Sequence, residues 1–141
     1  MNLLLYATVD NRASRRVLAL MRLQGKAFGI EFYRDIIMLM QRLRQPAKEL
    51  AAAVLLAANM KDINDLIAVR HFLDDVPVIL ILPNNGEEFI RKGHLLRPRF
   101  LTFADSQREI GTVLENMLKR LSASPMYRGL DRTLAMRDDV R

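Results

Sequence analysis

Five short apolar runs alternate with segments of helical periodicity, and this alternation restricts the possible folds more than any other feature of the chain. Leu3–Ala7 is continuously apolar, as a strand covered on both faces must be. Asp10 or Asn11 can cap the next segment, where Ala13, Val17, Leu20, Met21 and Gln24 fall on one helical face before Gly25 ends it. Ala27–Tyr33 reads as a second strand, at an edge because its alternation is loose. Arg34–Gln45 carries Ile36, Ile37, Met40 and Leu43 at helical spacing, and Pro46 stops it. Ala52–Ala58 is a third buried strand, followed by a helix capped by Asp62 or Asn64 and running to about Asp74. Pro77–Leu82 is the fourth strand, and Glu87–Lys92 makes a short helix ended by Gly93. Phe100–Phe103 is the fifth strand. Ser106 and Glu109 have the spacing of a capping box, with an apolar stripe from Ile110 to Leu121 behind them.

Strict alternation with continuous strands predicts an α/β fold, a doubly wound parallel sheet with helices on both faces. Its 141 residues suit one compact domain, expected over 1–122. Ser124, Pro125 and Gly129 break the pattern, so 123–141 is expected to be a flexible C-terminal tail. In the fourth segment Ile36 to Met40 are consecutively apolar, and a helix on one face of a sheet buries only a stripe, so part of this run should reach the surface.

The absence of cysteine excludes disulfide scaffolds, zinc–thiolate sites and thiol nucleophiles. Two histidines, His71 and His94, leave little for metal binding or acid–base chemistry, and no catalytic constellation, metal site or cofactor motif is found. The apolar runs fall far short of the roughly 20 residues that span a bilayer. Nothing at the N-terminus resembles a secretory leader, and a cytoplasmic protein without membrane contact is expected. Lys and Arg total 22 against 16 Asp and Glu, a net charge of +6. Residues 11–30 hold Arg12, Arg15, Arg16, Arg22 and Lys26 and no acid. Aromatic residues do not interleave with these cations, so a single-strand stacking groove is unsupported, and nucleic acid is not the expected partner.

The order and lengths of these units over Asn2–Leu121 resemble a response-regulator receiver (CheY-like) domain, in its degenerate, pseudo-receiver form. Asn59-Met60-Lys61-Asp62 resembles the stretch after the family's third strand, Pro77–Leu82 its fourth strand, and Phe100-Leu101-Thr102-Phe103-Ala104 its fifth. The resemblance implies strand order 2-1-3-4-5. It also implies a phosphorylation pocket: an acidic pair that holds Mg²⁺, an acceptor aspartate, a hydroxyl and a lysine. Those places fall on Ala7 and Thr8, Ala57, Leu82 and Phe103, none of which can do the work. A displaced acidic site would have to use Asp10, Asp62 and Asp105, although helix capping already accounts for each.

The family's interaction face covers its fourth helix, fifth strand and fifth helix. Here it would carry Arg91, Lys92, Arg97, Arg99, Arg108 and Lys119, suited to an acidic partner surface. The expected function is a non-catalytic signalling module whose partner is a protein, either another signalling protein or a second copy. The alternatives are a flavodoxin-like domain binding a nucleotide or other small molecule near Thr8, Asn11 and Ser14, and a basic nucleic-acid-binding module.

Overall fold

A computed structural model describes residues 1–46 and 49–123. The elements follow in the order β1 (Asn2–Ala7), α1 (Arg12–Gln24), β2 (Gly29–Tyr33), α2 (Ile36–Leu43), β3 (Leu50–Leu56), α3 (Met60–Ala68), β4 (Val78–Leu82), α4 (Glu87–His94), β5 (Phe100–Phe103) and α5 (Gln107–Ala123). The five strands form one parallel sheet in the order β2-β1-β3-β4-β5, as the alternation and the resemblance imply. The period-2 geometry of the strands divides their side chains between two cores. Leu3, Leu5, Ala7, Val54, Leu56 and Ile81 meet Val17 and Met21 of α1 and Ile110, Leu114 and Leu118 of α5. Leu4, Tyr6, Leu55, Leu80 and Leu82 meet Leu39 of α2, Ile63 and Leu66 of α3, and Leu96. No helix among the described residues is long and apolar enough to cross a membrane. The expected tail lies outside the described residues beyond Ala123.

Several boundaries differ from the sequence reading, each for a local reason. β3 starts at Leu50 and ends at Leu56, because a bulge opposite Asn2 and Leu3 lets Leu50 join the ladder before Ala52. β2 starts at Gly29, since Ala27 and Phe28 turn the chain and the Phe28 N–H donates to the Gly25 carbonyl at 2.9 Å. α2 starts at Ile36, with Asp35 in extended geometry as its cap, accepting from the Met38 N–H at 2.8 Å. α3 is capped by Asn59, not by Asp62 or Asn64; the Asn59 Oδ1 accepts from the Asp62 N–H at 2.9 Å. It ends at Ala68, and a separate 3₁₀ turn over Arg70–Leu73 completes the stretch read as one helix.

Gly93 does not end α4. It is buried inside the helix, and a Cβ there would lie 3.0 Å from Leu80 Cδ2 and 3.3 Å from Leu101 Cδ1, so glycine lets the helix approach the sheet closely. The Ser106–Glu109 box is not made: the Ser106 N–H donates to the Phe103 carbonyl at 2.9 Å, and Glu109 instead accepts from the Thr102 hydroxyl. In α2, Leu39 is buried while Ile37 and Met38 are 59% and 50% exposed, which locates the part of the apolar run that reaches solvent.

Candidate functional site

The parallel strands bring Ala7, Ala57, Leu82 and Phe103 to one edge of the sheet, the edge at which ligands bind in open α/β folds. Ala57 and Leu82 are fully buried in the α2/α3 core, and Phe103, Phe89 and Met60 pack against it. The Ala57 N–H continues the sheet by donating to the Ile81 carbonyl at 2.9 Å, and the Ala104 N–H donates to the Leu82 carbonyl at 2.8 Å. Ala7 belongs to the opposite core. Hydrocarbon therefore lines the centre of this edge.

The polar groups stand around that centre. The Asp62 side chain lies in the first turn of α3, where the helix dipole favours a negative charge. It is 3% exposed, and its Oδ2 accepts from the Thr8 hydroxyl at 2.8 Å and the Ala58 N–H at 2.9 Å. One carboxylate thus ties the loop after β1 to the loop after β3. Asp10 is exposed, and its Oδ1 accepts from Arg15 Nε at 2.9 Å. The Arg15 hydrogen bond and charge hold the Asp10 carboxyl below the ordinary range. Asp105 is exposed in the turn before α5, where it lines a shallow depression with Arg108 and Thr112. Among the described residues no three acidic or histidine side chains converge in a way that could hold a metal ion, so these three aspartates do not form a common site.

Asn11 and Ser14 are engaged with each other. The Asn11 Oδ1 accepts from the Ser14 N–H at 2.9 Å, and the Ser14 hydroxyl oxygen accepts from the Asn11 N–H at 3.0 Å. This reciprocal box starts α1 and leaves Ser14 buried. His71 is exposed and rests against the Phe72 ring, with ring centroids 4.2 Å apart.

The six cations of the expected interaction face are spread out. Lys92 Nζ donates to Asn64 Oδ1 at 2.8 Å and so ties α4 to α3. Arg91 lies 3.7 Å from Glu88, and Lys119 lies 3.5 Å from Glu115. Arg108 is exposed at the start of α5. Arg97 and Arg99 lie at the opposite, amino edge of the sheet, lining an open cleft of about 390 Å³ with Asp74, Asp75 and Leu96. Arg97 has φ 49°, a left-handed conformation uncommon for a side chain larger than glycine.

Two polar features were not foreseen. The Tyr6 hydroxyl is fully buried without a hydrogen-bond partner, and burial together with the charges of Asp62, Asp65 and Asp35 pushes it well above the ordinary tyrosine range. Glu31 on β2 forms an ion pair with Arg42 of α2 at 2.6 Å. A tyrosine inside an apolar run reads as core, and a charge on an edge strand reads as solvated; a buried acceptor or cation is visible only once the elements pack.

No protein-family model matches the chain, and no curated protein is similar to it. Solved structures are. The signal receiver domain of an HD domain-containing protein from Pseudomonas fluorescens Pf-5 superposes with TM-score 0.64 at 16% identity, covering 87% of this chain and 98% of that one. The phosphorylated cyanobacterial phytochrome response regulator RcpA gives TM-score 0.65 at 13% identity, covering 87% and 96%. The CheY-like response regulator receiver domain protein from Methanospirillum hungatei JF-1 gives TM-score 0.65 at 8% identity, covering 87% and 98%. The chain has the fold of response-regulator receiver domains.

Proposed function

We propose that the chain is a receiver-fold signalling module of the two-component type that acts through protein–protein contact, catalyses no reaction of its own and receives no phosphoryl group at the usual site. The observation that carries this reading is Ala57, a buried methyl group at the end of β3 where the resemblance places the acceptor. Leu82 and Phe103 beside it offer neither a hydroxyl nor an ammonium group. A phosphoryl transfer there would lack a nucleophile, a cation ligand and a group to neutralise developing charge. Asp62 is no substitute: it is buried, and one of its oxygens already accepts two hydrogen bonds. The partner on this reading is an acidic protein surface, or a second copy, meeting cations drawn from Arg91, Lys92, Arg97, Arg99, Arg108 and Lys119 in the cytoplasm.

The test is a backbone amide NMR titration with Mg²⁺, then with beryllofluoride as a phosphoryl mimic. An unchanged spectrum is expected. Saturable shifts centred on Asp10, Asp62 or Asp105 would overturn the reading and restore phosphotransfer at a displaced acid.

A further inference from the structure

The cations of residues 11–30 form a row on the surface, independent of the proposed protein-contact role. α1 buries Ser14, Val17 and Met21 against the sheet and α5. Arg12, Arg15, Arg16 and Arg22 are exposed on the other side, and exposed Lys26 continues the row just past the Gly25 cap. With a rise of 1.5 Å per residue the row is about 20 Å long. Among the described residues only Arg15 of these five forms an ion pair, with Asp10.

Stability does not explain the arrangement. The start of a helix carries partial positive charge and favours acids, yet the first turn of α1 has none and the first two turns hold Arg12, Arg15 and Arg16. Arg12 and Arg16 are also like charges four residues apart, which weakens a helix further. Helix formation would favour the opposite charges, so the row requires a reason outside folding.

We propose that this face binds the phosphate backbone of double-stranded nucleic acid. A line of unpaired cations matches a polyanion, whose affinity comes from counterion release. Leu23, 64% exposed, is the one large apolar side chain beside the row, too little for the apolar centre of a protein interface. The same lack of aromatics that argues against single strands leaves duplex backbone contact open, because such contact needs no stacking. Bilayer insertion fails as well, since the apolar face of α1 is already covered by the sheet.

The test is fluorescence anisotropy with a labelled mixed-sequence DNA duplex of about 20 base pairs, repeated with an RNA duplex, across a salt series. Four unpaired cations give an expected log–log salt slope of about −3 to −4, so affinity falls roughly 100-fold between about 50 and about 200 mM salt. Arg16→Gln/Arg22→Gln should reduce the slope by about 2, while Arg91→Gln/Arg99→Gln, outside the row, should leave it unchanged. All four positions are exposed, and circular dichroism checks that each variant folds. Three outcomes overturn the proposal: no binding at low salt, loss of binding in the Arg91/Arg99 variant with the Arg16/Arg22 variant unaffected, or polyglutamate competing as well as either duplex. The last would assign the row to an acidic protein.

Discussion

Glu31 shows how one side chain can secure an edge. It lies on β2, the outermost strand, and accepts from Arg42 Nε at 2.6 Å, Asn2 Nδ2 at 2.8 Å and the Tyr33 hydroxyl at 2.8 Å. Burial pushes its carboxyl up, but these hydrogen bonds and the Arg42 charge together outweigh burial and hold it below the ordinary range. A carboxyl lowered on folding contributes stability above its unfolded value, 4.5, and loses it as pH falls through the lower folded value. Glu31→Gln should therefore cost about 1–3 kcal/mol at neutral pH and flatten the stability profile below about pH 4.5. Urea unfolding at a series of pH values measures both; an unaltered acid limb would show that other carboxylates set it. The same residue marks a limit of sequence reading. Glu31 and Arg42 are 11 positions apart on different elements, and their partnership exists only because α2 folds back on β2.

Among the elements, α1 carries the clearest conflict between stability and surface chemistry. Arg12→Glu/Arg16→Glu would place acids at the positive end of the helix and remove a like-charge pair. The expected outcome is a gain of about 0.5–2 kcal/mol in urea unfolding together with loss of duplex binding. A loss of stability would mean that Arg12 or Arg16 has a structural role. Caps explain why element types were legible in the sequence while element ends were not. Asn11 and Gly25 read correctly because side-chain capping and helix termination are local chemistry. Asp62 read as a cap because acids often are caps, but Asn59 was already in extended geometry one turn earlier, which freed Asp62 to reach Thr8. Gly93 read as a stop because glycine weakens helices, whereas here the contact with Leu80 and Leu101 requires it.

In the whole molecule, the apolar runs and their spacing carried the sheet and its two layers, because burial on both faces leaves a direct mark on composition. The candidate site was legible as a set of strand ends, since topology alone gathers them, and the distribution of charge was not. Arg97 and Arg99 sit at the amino edge, away from Arg108 at the start of α5, so they test the protein-contact reading by themselves. Arg97→Glu/Arg99→Glu should weaken self-association or partner capture in sedimentation and pull-down measurements while the melting temperature changes little. Unchanged association would remove that edge from the interface. The buried strand end at Ala57 has a consequence for the history open to such a chain. One substitution, Ala57→Asp, would set a carboxylate among Tyr6, Leu55 and Leu82 with no cation to meet it, a buried charge costing several kcal/mol. A return to an acidic edge must therefore arrive as several changes together, and the hydrocarbon-lined edge acts as a ratchet.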